Sequence, residues 1–86
     1  GVEISYYQHP SEPQALLVVA NRREAQFHGL VRIDAAALGL PNGNLQAADL
    51  TRGAHLTVLR ERIVGLRIPP EQYCVVRLST AEAPSR

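Results

Sequence analysis

Residues 14–34, "QALLVVANRREAQFHGLVRID", decide the fold class. Residues 14–20 are a continuous apolar run of the kind found in a strand covered on both faces. Asn21 tolerates a left-handed backbone and Arg22 and Arg23 belong in solvent, so "NRRE" reads as a tight hairpin turn. The return segment alternates, with Ala25, Phe27, Gly29, Val31 and Ile33 on one face and Gln26, His28, Leu30 and Arg32 on the other. Gly29 supplies no side chain to pack, and marks either a bulge or a place where another side chain crosses. Two β segments joined by a short turn, with no sustained helical period, predict an antiparallel all-β protein.

The flanks extend the same pattern. Upstream, "VEISYY" alternates Val2, Ile4 and Tyr6 with Glu3, Ser5 and Tyr7, and "QHPSEP" follows as a loop. Downstream, "DAAALGLPNGN" changes character: Asp34 is a cap, three alanines favour a helical turn, and Gly39 and Pro41 stop it. Then "LQAADL" and "AHLTVLR" read as strands around a "TRG" turn, Arg60 and Glu61 occupy the next reversal, and "RIVGLRI" runs up to Pro69 and Pro70. The prolines cannot donate ladder hydrogen bonds, so they end one strand and set an extended crossing, read as part of a closing hairpin, before "QYCVVRLS". The expected architecture is an antiparallel β-sandwich of about seven strands with one short helical turn near residues 34–39. It is one domain, residues 1–86, with residues 80–86 as a fraying tail.

Composition bounds the function. Eighty-six residues support one core. The formal net charge is +1, and all nine basic residues are Arg, a usage that fits a GC-rich genome. Basic residues alternate with acids in "RREAQ" and "RERIV", so no single-sign patch is readable and nucleic acid is not an expected partner. The longest apolar run, "ALLVVA", is far short of a membrane helix, so no membrane association is expected. With no Met and an initial Gly, the chain reads as a piece excised from the C-terminal end of a longer protein.

No catalytic constellation is legible. Cys74 is the sole thiol and falls in phase with Val76 and Leu78, as a core residue does. His9, His28 and His55 are too far apart for a close-paired zinc motif, so neither metal nor cofactor is expected. Asp34 and Asp49 sit at a cap and a strand end, and no pair of carboxylates is singled out for glycoside hydrolysis. "GLPNGN" lacks the Lys and Ser or Thr of a phosphate loop, and no Ser stands between glycines as a nucleophile elbow requires. Tyr6 and Tyr7 must face opposite ways, which leaves Tyr7 as an aromatic platform beside His9.

In order, "ALLVVANRRE", "VRIDAAALGL", "AADLTRGAHL" and "VGLRIPPEQYCVVRL" resemble the C-terminal all-β domain attached to glycoside hydrolases of the α-amylase superfamily and related barrel enzymes. The resemblance rests on a strand like "LLVVAN", an Asp-x-x-Thr-Gly-like turn in "DLTRGAHL", and a Leu-x-Pro-Pro segment before a strand ending Val-x-x-Leu. This chain departs in "TRG", where the family more often has Thr-Gly followed directly by an acid. The resemblance implies a noncatalytic accessory domain that packs on a catalytic domain absent from this chain; the family's catalytic acids lie on that barrel, so none carries over. Two alternatives stand beside it: a carbohydrate-binding module, or an interaction sandwich that adds a partner strand at an unpaired edge. The residues singled out for sugar or partner contact are Tyr7, His9, His28 and Leu30, with Leu59 as a second apolar candidate.

Overall fold

A computed structural model of the chain describes residues 1–9, 14–40 and 45–80. Seven strands, β1 (Val2–Gln8), β2 (Gln14–Asn21), β3 (Phe27–Arg32), β4 (Leu45–Asp49), β5 (Ala54–Val58), β6 (Arg62–Ile68) and β7 (Tyr73–Thr80), form one antiparallel sheet in the order β1-β2-β7-β4-β5-β6-β3. The all-β expectation and the strand count hold. The tail at 81–86, most of the "QHPSEP" loop and "PNGN" lie outside the described residues.

The sheet curls, and short connections are the reason. β2 and β6 stand four steps apart in the strand order, about 19 Å on a flat sheet. Yet the Asn21 side chain at the end of β2 donates to the Ile68 carbonyl at the end of β6 across 3.0 Å. Curling brings β3 and β6 over β2 and β7, so Val31, Ile63, Leu66 and Ile68 share one core with Leu17, Val19, Cys74, Val76 and Leu78. β5 makes the corner. Its first half pairs with β4 through Leu56, His55 and Ala54, and its second half pairs with β6 through Thr57 and Val58.

Several expectations change. β2 and β3 form no hairpin: β2 pairs with β1 and β7, β3 pairs with β6, and residues 22–26 cross between opposite ends of the sheet. β6 and β7 form no hairpin either: β6 pairs with β5 and β3, β7 with β2 and β4, and the connection after Pro69 is not the extended crossing expected but turns at Pro70 and Glu71, where Glu71 takes φ 56°. Both crossings begin at a segment, polar at 22–26 and holding Pro69 and Pro70 in the other, that locally has the composition of a turn, a signal shared with a hairpin. β2 is not covered on both faces. Ala15, Leu17, Val19 and Asn21 are buried, while Leu16, Val18 and Ala20 on the other face are exposed or half-buried.

No helix forms among the described residues, and the expected helical turn is a hydrogen-bonded turn over residues 35–39. Asp34 does act as a cap, its carboxylate accepting from the Ala37 N–H at 3.1 Å. The Leu38 N–H reaches the Asp34 carbonyl and the Leu40 N–H the Ala35 carbonyl, but Gly39 turns left-handed at φ 73° and ends the coil after one turn. Ala35, Leu38 and Leu40 are buried against the core.

The bulge falls on the strand opposite Gly29. Between the pairs Gly29 with Leu66 and Val31 with Ile63, β6 carries two residues, Val64 and Gly65, against Leu30 alone. Gly65 takes φ 75°, a left-handed backbone that glycine adopts without the strain an L side chain would carry there. The Phe27 ring lies 3.4 Å from where a Gly29 Cβ would stand, so a side chain does cross there as well.

Candidate functional site: the outer face of the central strands

Register places a row of side chains across the outer face of the sheet. Tyr7 stands opposite Leu16, Leu16 opposite Arg77, Arg77 opposite Ala48, and Ala48 opposite His55. The next rows hold Ser5, Val18 and Val75, then Glu3, Ala20 and Tyr73. Every second residue of β2 and β7 points inward to the core, so the apolar content of "ALLVV" and "CVVRL" is split between two faces. Tyr7 (59%), Tyr73 (58%) and Leu16 (39%) are the exposed apolar members, and Val18 and Val75 between them are half-buried.

At one end of this face Tyr7, Gln8, His9, Gln14, Leu16 and Arg77 line a shallow groove of about 230 Å³. The His9 N–H donates to the Gln14 carbonyl at 3.0 Å, which ties the end of β1 to the start of β2. The volume is below the range of pockets that enclose a drug-sized ligand, so the groove seats at most one ring or side chain.

Of the four residues singled out from the sequence, the fold brings together two pairs and keeps the pairs apart. Tyr7 and His9 share the groove. His28 and Leu30 lie on β3 at the other end of the strand order, on the solvent side of the curled sheet. Leu59 is exposed at the β5–β6 turn. Arg77, Leu16, Val18, Val75 and Tyr73 were not singled out, although the alternation of Tyr73, Val75 and Arg77 against Cys74, Val76 and Leu78 carries the signal.

The chemistry beneath the face is structural. Asp49, 3% exposed at the end of β4, accepts from the N–H groups of Thr51 at 2.9 Å and Arg52 at 3.1 Å. The Arg52 guanidinium reaches its other oxygen at 3.4 Å, and the Thr51 hydroxyl accepts from the Val75 N–H at 2.8 Å. Burial pushes the Asp49 carboxyl up, but hydrogen bonds from the Cys74 thiol, the Arg52 and Thr51 amides and the Arg52 side chain together hold it below its ordinary value. Burial, then the hydrogen bond to Asp49, pushes the Cys74 thiol up to about 12. It is a buried hydrogen-bond donor at neutral pH and not a thiolate. The "DLTRG" turn thus locks the β4–β5 hairpin to β7.

No group of His, Cys, Asp and Glu among the described residues could hold a metal ion. No helix among them is long and apolar enough to cross a membrane. No family model, curated protein or solved structure matches the chain.

Proposed function

We propose that the chain is a noncatalytic accessory domain of a larger carbohydrate-active enzyme, and that it packs on the catalytic domain through the outer face of β2 and β7. In this reading the two halves of the curled sheet serve as the two layers of a sandwich. The observation that carries the packing role is the apolar outer face itself: Leu16, Val18, Val75, Tyr73 and Tyr7 form adjoining rows that nothing else among the described residues covers. Contiguous apolar surface of this kind marks an interaction site on a folded domain. The carbohydrate part rests on the resemblance carried by "VGLRIPPEQYCVVRL" and the segments before it.

The test is thiol labelling of Leu16→Cys and Tyr73→Cys, in the isolated 86-residue chain and in the full-length gene product. Both thiols are expected to react freely in the isolated chain and to be blocked in the full-length protein, while a control Leu30→Cys reacts in both. Equal labelling of all three in the full-length protein overturns the reading.

The juxtaposition of Tyr7 and His9 in one groove favours a second reading, a sugar site on the isolated module. Titration with a panel of neutral and acidic oligosaccharides, followed by NMR, separates the two. Saturable shifts at Tyr7, His9 and Leu16 establish a sugar site, and a flat response removes it.

A further inference from the structure

Folding collects on one surface charges that the sequence scatters. β3 and β6 pair with Arg32 opposite Arg62 and His28 opposite Arg67, and all four residues are exposed. Between the two pairs, at the bulge, lie Leu30, 52% exposed, and Val64, 38% exposed. Arg32 and Arg62 set like charges directly opposite each other, which weakens a ladder, so this pair costs the chain stability. The nearest acids in sequence are engaged elsewhere: the Glu61 carboxylate accepts from the Ala35 N–H at 3.0 Å and that of Asp34 from the Ala37 N–H at 3.1 Å. The ion pairs among the described residues join Glu3 to Arg22 and Asp49 to Arg52, and neither involves this basic group.

A second, independent feature lies on the same strand. β3 ends the sheet and, among the described residues, pairs only with β6. One row of its backbone N–H and C=O groups therefore faces outward as a template for another strand. The extra residue of the bulge belongs to β6, so β3 itself is not interrupted.

We propose that β3 docks an extended acidic segment of a partner protein. The segment adds as a further strand, with one carboxylate over Arg32 and Arg62, another over His28 and Arg67, and an apolar residue between them against Leu30. Spacing selects a strand over other polyanions. His28 and Arg32 are four residues apart, about 13 Å along β3, and an added strand has the same repeat. Acids four apart on it meet both basic pairs, and the residue midway meets Leu30. Single-stranded nucleic acid is bound by stacking on aromatic rings, and His28, Leu30, Arg32, Arg62, Val64 and Arg67 include no Phe, Tyr or Trp. A second copy of this chain would add residues 28–32, which contain no acid to set over Arg32 and Arg62.

The experiment uses the 86-residue chain and three probes: a peptide centred on Glu-Thr-Val-Thr-Glu, the same peptide with both Glu replaced by Lys, and a heparin oligosaccharide. The acidic peptide is expected to give saturable NMR shifts and slowed amide exchange at residues 28–32. Binding should weaken on the order of tenfold in Arg32→Glu and in Arg62→Glu, both at exposed positions, with retention of the fold checked by circular dichroism. Arg67→Gln, which keeps a polar side chain and removes one charge, should weaken it less. The proposal is overturned by no saturable shift with the acidic peptide, by an equal response to the Lys peptide, or by binding that the Arg variants leave unchanged. Heparin binding without slowed exchange at β3, in place of peptide binding, also overturns it and shows a diffuse anion patch.

Discussion

The Asn21 side chain joins the end of β2 to the end of β6: its Nδ2 donates to the carbonyl of Ile68 at 3.0 Å and to that of Pro69 at 3.1 Å. The same nitrogen reaches the Ala25 carbonyl at 2.9 Å, and Oδ1 accepts from the Arg23 N–H at 3.1 Å. One amide, 1% exposed, thus satisfies both crossings between the halves of the curled sheet. Asn21→Ala leaves three carbonyls and an amide short of a partner and is expected to cost about 2–3 kcal/mol in urea unfolding. Asn21→Asp should cost more, because a carboxylate would face carbonyl oxygens. A loss under about 0.5 kcal/mol for both variants would remove Asn21 as the fastener of the curl.

Asp49 and Cys74 make stability depend on pH at both ends. The Asp49 carboxyl is held below its ordinary value, so its contribution is present above the unfolded value of 3.8 and is lost as pH falls through the folded one. Asp49→Asn should flatten the acid limb of a stability-against-pH curve. Cys74 is raised from 9.0 to about 12, so its contribution is full below pH 9 and is lost as pH rises toward 12. Cys74→Ala should flatten the alkaline limb. Native protein at pH 8 should leave Cys74 unmodified by a thiol reagent that modifies it at once in denaturant.

The β5–β6 turn places two non-glycine residues in left-handed backbone, Arg60 at φ 48° and Glu61 at φ 62°. Leu59 and Arg62 close it with reciprocal bonds of 2.9 and 3.0 Å, the pattern of a two-residue hairpin that favours Asn-Gly. Arg60→Asn should stabilise the chain by about 0.5–1 kcal/mol. Glu61→Gly should gain less or lose, because Oε1 of Glu61 accepts from the Ala35 N–H. Thermal melts of the two variants check the ordering.

Neighbours on β2 should behave oppositely. Leu17 is fully buried, and Leu17→Ala should cost about 2–5 kcal/mol, a large share of what a domain of this size has. Leu16 and Val18 face outward, so Leu16→Asp and Val18→Asp should leave the isolated chain folded, and under the packing role proposed above they should abolish docking on the catalytic domain. Chemical denaturation of the isolated chain, with the same substitutions in the full-length protein, separates the two effects.

Alternation along each segment was sufficient to mark the seven strands and to put Cys74, Val76 and Leu78 on the core side, because a strand's two faces are set by its own period of two. Residue type before the alanines marked Asp34 as a cap, while alternation also put Tyr7 outward. Pairing was beyond it. The turn at residues 22–26 and the prolines at 69–70 look locally like hairpin connections, and only the competition among seven strands for one core sends them across the sheet. That competition leaves the outer face of β2 uncovered, where the apolar run alone suggests cover on both sides. It also sets Arg32 against Arg62 and His28 against Arg67. Charge in sequence is a one-dimensional list in which acids and bases alternate, whereas the register of β3 on β6 is a long-range choice that sorts them onto different faces.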